Sequence, residues 1–333
     1  MIPFPARLPP KPTLVVGGYG YRNAGDEAIL AGLLGLLGRD QVTVVSRAPA
    51  ETAAIHGVRT VGIAGAPRAM LRHRGLVIGG GGIFGRDMGA LGRLLPLAGL
   101  MSAAAGREVA LLGIGVDRDM PGSSARLLAR LGARSIAVTV RDEPSRAMLA
   151  TLGVDARRLP DLSSHVRSSG RAAGIRQLRA IGMDPARRPV VGLCVTAVDP
   201  ALADRVRLAV LAAVDALPGI DFCLVPMSRH PFVATHNDEI MARRLVAERP
   251  RMRMLLPADD PAEVLGVFEA FAAAVAMRYH ALLFAERAGV PLVPIAYAEK
   301  CRHWLAEHDL VSAEPTPAIL IDRLGLALEG AIA

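Results

Sequence analysis

Short runs of β-branched and aliphatic residues alternate along this chain with longer stretches in which apolar positions recur every three to four residues. The first pattern is that of buried strands and the second that of helices lying on a sheet, so together they predict repeated βα units on parallel sheets. In the first half, strands are expected at 13–18 (TLVVGG), 41–46 (QVTVVS), 75–80 (GLVIGG), 108–115 (EVALLGIG) and 135–140 (SIAVTV). In the second half they fall at 189–195 (PVVGLCV), 221–227 (DFCLVPM), 252–257 (MRMLLP), 272–277 (AAAVAM) and 290–295 (VPLVPI). Residues 315–332 carry an apolar stripe and should form a helix that packs back on a domain.

A chain of 333 residues exceeds the ~250–300 at which one hydrophobic core stops growing, which predicts two domains. Residues 169–188, rich in Arg, Gly and Ser with proline at their end, lack a strand pattern and read as the linker. The expected division is an N-terminal domain at 1–168, a C-terminal domain at 189–310 and a closing helix within 311–333. The fold class is therefore α/β, with two doubly wound, Rossmann-like domains. Ligands of such sheets bind beyond the carboxyl ends of the strands, so the loops there are where chemistry is sought.

Composition narrows the picture in three ways. A 52% hydrophobic share with 21% charged residues places the chain among folded globular proteins. No apolar run of about 18 residues escapes a charge or a Gly/Pro cluster, and the proline-containing start MIPFPARLPPKP does not read as a secretory leader. A cytoplasmic protein is expected. Three cysteines without a CxxC pair imply neither a disulfide framework nor a zinc site, and no HxxxH or HExxH spacing suggests a metal. The net charge of +8 comes nearly all from arginines spread along the chain, with few aromatics to stack bases, so an anionic substrate or an acidic surface explains it as well as a nucleic acid does, and no nucleic-acid partner is expected.

Four strand-end segments carry chemistry. In GGYGYRNAGDEAILAGLL (17–34), Asn23, Gly25 and Asp26 lead into a helix; a dinucleotide site is disfavoured because the next strand ends in Ser46-Arg47 rather than an acidic residue, and helix capping explains the same residues. Four glycines follow the strand at 75–80, and Gly81 and Gly82 either admit an anion or sugar close to the backbone or only pack a turn. Arg141, delivered after the strand at 135–140, can grip a carboxylate or phosphate with its fork or can pair with Asp142 or Glu143. In MRYHALLFAERAGVP, Arg278 and His280 lie two apart at a strand-to-helix junction, where a capping histidine and an anion-site histidine read alike. PMSRHPFVATHND (226–238), with Arg229, His230 and His236, reads as a lid or acceptor-facing loop, and surface histidines fit as well. Trp304 could cover a sugar ring, although core packing accounts for it.

GYGYRNAGDEAIL, the GGGG strand end, GIGV (113–116), VRDEPSRAMLATLGV, MRYHALLFA with GVPLVPIAY, and Lys300 resemble, in order and spacing over roughly 300 residues, the polysaccharide pyruvyltransferase family. The resemblance implies two Rossmann-like domains facing each other across a cleft, as in GT-B glycosyltransferases. It implies transfer of the pyruvyl group of phosphoenolpyruvate to a sugar of a cell-wall or extracellular polysaccharide, or its lipid-linked precursor, as a ketal with loss of phosphate. Under it, Arg141, Arg278, Lys300, Gly81 and Gly82 bind the donor, and Asn23, Arg229 and His230 face the acceptor. His280 carries the proton transfers, with Asp26 as a second catalytic group. No metal or cofactor is required, and peripheral contact with the inner membrane surface is an expectation. PDLSSHV stands where family members tend to carry an Asp-Pro pair, and 226–238 is only loosely like the family's substrate loop.

Two rivals remain. A GT-B glycosyltransferase using a nucleotide sugar would share the fold and would use a carboxylate near Glu286 or Glu299 to hold ribose. A polysaccharide-binding protein without catalysis would be expected to have lost Arg141, Arg278 and His280, all of which are present.

Overall fold

The computed structural model describes residues 7–85, 89–256 and 260–332. The chain forms two compact units, Met1–Tyr21 with Asp26–Val166, and Arg22–Gly25 with Arg167–Ala333.

In the first unit, β1 (Thr13–Val16), β2 (Val42–Ser46), β3 (Arg59–Gly62), β4 (Gly75–Phe84), β5 (Glu108–Val116), β6 (Ala137–Val140) and β7 (Arg157–Arg158) form a parallel sheet in the order 3-2-1-4-5-6-7. The helices are α1 (Ala24–Leu37), α2 (Pro49–His56), α3 (Ala66–Arg72), α4 (Leu91–Ala104), α5 (Gly122–Gly132) and α6 (Glu143–Thr151). Successive strand residues point to opposite faces, and because the strands are buried along nearly their whole length, alternate side chains enter two different cores. Leu14, Val16, Leu76, Ile78, Val109 and Leu111 meet α3, α4, α5 and α6 on one face. Val15, Val77, Ala110 and Leu112 meet the Ile29, Leu30, Leu33 and Leu34 stripe of α1 on the other. Both faces of the sheet are thereby covered, the condition under which a parallel sheet is stable.

The second unit repeats the plan with α7 (Arg171–Ala180), β8 (Val190–Cys194), α8 (Pro200–Ala216), β9 (Asp221–Leu224), α9 (Asp238–Glu248), β10 (Arg253–Met254), α10 (Pro261–Phe268), β11 (Ala273–Ala276), α11 (Tyr279–Ala288), β12 (Leu292–Pro294), α12 (Glu299–Glu307) and α13 (Pro317–Ile332). Its strand order is 10-9-8-11-12, again all parallel. Val191, Leu193, Phe222, Leu224 and Val275 pack against α8, α9 and α13. Phe268, Phe271 and Phe284 form edge-to-face contacts in the core behind the sheet.

Each sheet has one point where strand order reverses, between β1 and β4 in the first and between β8 and β11 in the second. Connections leave those neighbouring strands in opposite directions and open a crevice at their carboxyl ends.

Three local readings of the sequence change. The glycine run does not follow the strand; β4 continues through it to Phe84, with a shifted register against β5 between Gly81 and Phe84. Positive φ angles at Gly80 (59°) and Gly81 (81°) produce that irregularity, and only glycine adopts them without strain. The stretch 169–188 contains helix α7, which packs on α10 in the second unit. The short edge strands β3 and β7 lack the apolar alternation that reveals a strand. The expected strand at 252–257 is observed as β10, and Pro257 lies outside the described residues, as do Arg86, Asp87 and Met88 of the glycine segment.

Candidate functional site

The second unit brings Asn23, Arg229, Arg278 and His280 of the expected side chains together beyond its strand ends. β11 ends at Ala276, and Met277 continues alongside β8 by donating its N–H to the Cys194 carbonyl. Arg278 follows as the N-cap of α11, and His280 lies in its first turn. Arg278 directs Nη2 to Asp238 Oδ1 at 2.6 Å and Nε to Asp238 Oδ2 at 3.1 Å. Its guanidinium carbon also lies 5.8 Å from the Tyr297 ring centroid. Burial alone would favour the neutral guanidine, but the Asp238 carboxylate and then Tyr297 outweigh it and hold Arg278 above its ordinary range. Arg278 is therefore a fixed cation.

Asp238 is 1% exposed and is locked in turn. Its Oδ2 accepts the Ser228 N–H at 3.0 Å, while its own N–H donates to the Ser228 carbonyl at 2.7 Å. It occupies the first turn of α9, with Asn237 as the side-chain cap, where a carboxylate also meets the positive end of the helix. The sequence reading did not single out Asp238, because an Asn-Asp-Glu run before a helix reads as an ordinary cap. Thr196 was missed too. It is buried at the carboxyl end of β8, and its Oγ1 has no hydrogen-bond partner among the described residues.

Residues 22–25 belong to this same unit although they lie far away in sequence. Asn23 forms an antiparallel bridge with Ser228, Ala24 donates to the Met227 carbonyl at 2.9 Å, and Arg229 donates to the Arg22 carbonyl at 2.8 Å. Asn23 Oδ1 accepts the Gly25 N–H at 3.0 Å, so it caps the start of α1. A β-carbon on Gly25 would lie 2.0 Å from His280 Nδ1, so the imidazole rests directly on this turn. Asn23, Arg229, Arg278 and His280 thus converge through Ser228, Asp238 and Gly25. The loop after β9 closes on itself through an Arg229–Asn237 bridge, with His230 and His236 rings 6.0 Å apart. His230 Nδ1 accepts the N–H groups of Phe232 and Val233 at 3.2 and 3.1 Å. Burial, and secondarily His236, moves the His230 pKa below its ordinary value. Lys300 is exposed in the first turn of α12.

The first unit carries a second cluster at its own crevice. The Asp26 carboxylate stands beside Gly18, just past β1, and Gly81, where β4 becomes irregular, with Oδ1 3.2 Å from where a Gly81 β-carbon would be. Arg141, 6% exposed at the end of β6, reaches across the strand ends. A β-carbon on Gly115 would be 2.9 Å from its Nη2, and one on Gly82 would be 3.4 Å away. Arg141 Nε is 3.2 Å from Asp142 Oδ2 and its Nη1 3.8 Å from Asp161 Oδ2. Asp142 also caps α6 by accepting the Ser145 N–H, so the salt-bridge reading of Arg141 holds alongside any ligand role. The loop after β1 is clamped: Tyr19 Oη donates to the Gly79 carbonyl at 2.9 Å, and Gly20 N–H donates to Glu27, whose other oxygen pairs with buried His56 at 2.8 Å. Burial, with Asp26 and Glu27 nearby, pushes the Tyr19 phenol far up, so it remains a neutral donor.

The two carboxylates expected at a ribose in the glycosyltransferase reading are solvent-exposed, each beside a histidine. Glu286 pairs with His308 at 2.9 Å and Glu299 with His303 at 3.5 Å. Trp304 is buried and stacked on His308, which favours the packing role. Among the described residues no cluster of His, Cys, Asp and Glu is arranged to hold a metal ion.

A family model described as polysaccharide pyruvyl transferase matches residues 23–299. No curated protein matches the chain. Among solved structures, Anabaena Alr3699/HepE in complex with UDP and glucose is similar with a TM-score of 0.63 at 13% identity, covering 96% of this chain and 90% of that one. UDP-GlcNAc 2-epimerase from Neisseria meningitidis, bound to UDP-GlcNAc, gives 0.62 at 10% identity, with 95% and 91% covered. E. coli ADP-heptose lps heptosyltransferase II gives 0.55 at 14% identity, with 96% and 100% covered. At these identities the likeness is one of fold, two Rossmann-like domains of the GT-B kind.

Proposed function

Because the chain belongs to the polysaccharide pyruvyl transferase family, and is thereby a transferase acting on polysaccharide, we propose that it moves the pyruvyl group of phosphoenolpyruvate onto a sugar. The product is a pyruvate ketal on a cell-wall or extracellular polysaccharide, or on its lipid-linked precursor. The observation that carries this reading is the second unit's crevice, where a half-buried, charge-fixed Arg278 stands two residues from His280.

Phosphoenolpyruvate presents a carboxylate and a phosphate on three carbons, and a fixed guanidinium suits either group. Arg278, held by Asp238 and Tyr297, is the first candidate ligand. Arg141 and Lys300 are further donor-binding candidates, as are the open backbone positions at Gly81 and Gly82. In the chemistry, the C=C pair of the enol takes a proton at the CH2 carbon, which becomes the methyl, and C2 becomes oxocarbenium-like. A sugar hydroxyl oxygen attacks C2 and loses its proton. The C2–O bond to phosphate then breaks, phosphate leaves with the bonding pair, and a second hydroxyl closes the ketal as its proton departs. His280 is the group for proton delivery or removal, and Asp26 the candidate carboxylate. Asn23, Arg229 and His230 are the acceptor-facing candidates.

The test is phosphate release from phosphoenolpyruvate with a lipid-linked saccharide acceptor. The parent should release phosphate only with acceptor present, and His280→Ala should lower kcat about 100-fold or more. Equal rates would remove His280 from the chemistry. Several proteins of similar fold were solved with UDP or a UDP-sugar, so a melting-shift comparison is the second arm. Stabilisation by a nucleotide sugar and none by phosphoenolpyruvate would replace this reading with the glycosyltransferase one.

A further inference from the structure

The exposed large apolar side chains of the first unit fall on one side of it. They are Ile63, Leu71, Leu94, Leu97 and Met101 among the described residues. Ile63 lies in the 3-10 turn that leads into α3, Leu71 on α3, and the other three on α4. α3, α4 and α5 all pack their inner sides on the same face of the sheet, through Ala69, Leu95 and Leu100, and Leu128 and Leu131. The outer sides of α4 and α5, which pack on each other, therefore form one solvent-facing layer, with α3 on the same face of the sheet. On α4, Leu94, Leu97 and Met101 follow the spacing of a single helical stripe. They are 55%, 44% and 62% exposed, which a soluble surface seldom concentrates on one helix.

The charge on this layer has one sign. α3, α4 and α5 carry exposed Arg68, Arg72, Arg93, Arg126 and Arg130 and contain no Asp or Glu. None of these arginines forms a salt bridge among the described residues, whereas Glu143 of α6, farther along the same face, is already paired with Arg146. An apolar stripe bordered by unpaired arginines suits the boundary of an anionic bilayer: leucine and methionine enter the acyl region while arginine stems lie along it and their heads meet phosphate. A second copy of the chain is disfavoured as occupant, because a twofold contact would set arginines against arginines. Among the described residues no helix is long and apolar enough to cross a membrane, so the contact is peripheral.

We propose that the outer side of α3, α4 and α5 is a docking surface for an anionic lipid membrane. The inference is independent of the pyruvyl-transfer reading, since none of these side chains is among the expected site residues.

The test is co-sedimentation of the full chain with vesicles of equal parts phosphatidylglycerol and phosphatidylcholine, against phosphatidylcholine alone. The parent should pellet with the anionic vesicles only, and added salt should release it. Replacing Arg93, Arg126 and Arg130 together by Ala should lower partitioning about fivefold for each arginine removed. Removing Arg187, Arg243 and Arg323 from the second unit, an equal change in net charge, should leave partitioning unchanged. L97E with M101E should also release the protein, with the melting temperature retained because both side chains are already exposed. Equal pelleting with neutral vesicles, or equal loss from the control triple variant, would overturn the proposal. So would a dimer that L97E converts to monomer, which would assign the face to a second copy.

Discussion

Gly25 and His280, from opposite ends of the sequence, touch: a β-carbon on Gly25 would lie 2.0 Å from His280 Nδ1. The Asn23–Gly25 turn therefore acts as one wall against the imidazole, and the bond network of Asn23, Ser228 and Met227 keeps that wall in place.

Gly25→Ala should leave the protein folded, because alanine favours a helix by about 1 kcal/mol over glycine, and should displace the imidazole. A shift of about 1 Å at a reacting group costs on the order of 100-fold in rate. Circular dichroism should match the parent while kcat for phosphate release falls to about a hundredth. An active Gly25→Ala enzyme would show that the His280 ring position is not critical.

Asp238→Ala should be the most destabilising change at the site. It strips a 1%-exposed partner from Arg278, whose side chain is 15% exposed, and leaves a largely buried guanidinium uncompensated. The expected loss is about 3 kcal/mol in urea denaturation. Replacing Arg278 by methionine together with Asp238→Ala should recover part of that loss; a single-variant loss below about 1 kcal/mol would mean that the pair is not what holds the strand end.

The three cysteines, Cys194, Cys223 and Cys301, are buried thiols that form no disulfide, and all lie in the second unit. Burial pushes the Cys223 thiol up to about 12 and raises Cys194 as well, so thiolate at neutral pH is scarce. A thiol reagent should label none of them in the native protein. Labelling should begin with the opening of the second unit alone, and rapid labelling under native conditions would contradict the packing of β8 and β9.

His230 sets a pH dependence for the loop after β9. Its folded pKa lies below the usual 6.5, so the unfolded chain binds the extra proton first as pH falls. The loop's stability is thus complete above about pH 6.5 and declines below it as protonation takes Nδ1 away from the Phe232 and Val233 N–H groups. The protection factors of those two amides, measured against the intrinsic exchange rate at each pH, should fall as pH drops below about 6.5, and His230→Gln should flatten that response. Protection factors that stay constant as pH falls would remove His230 as the loop's anchor.

The sequence by itself determined the units of construction. Continuous apolar runs such as Leu14–Val15–Val16 and the apolar stripe of α1 are local patterns, so the parallel α/β character and most strands were legible. The charged strand ends, Arg141 after β6 and Arg278 with His280 after β11, were legible for the same reason. β3 and β7 were not, because short edge strands with polar residues lack such a run. Only the tertiary structure decided which groups meet. Strand order puts β8 beside β11 and β1 beside β4, and nothing in local spacing encodes that order. The clasp of Asp238 on Arg278 joins residues 40 apart, and the contact of Gly25 with His280 joins nearly the whole length of the chain. Both depend on where the backbone returns after each crossover, a property of the assembled sheet that no single segment carries.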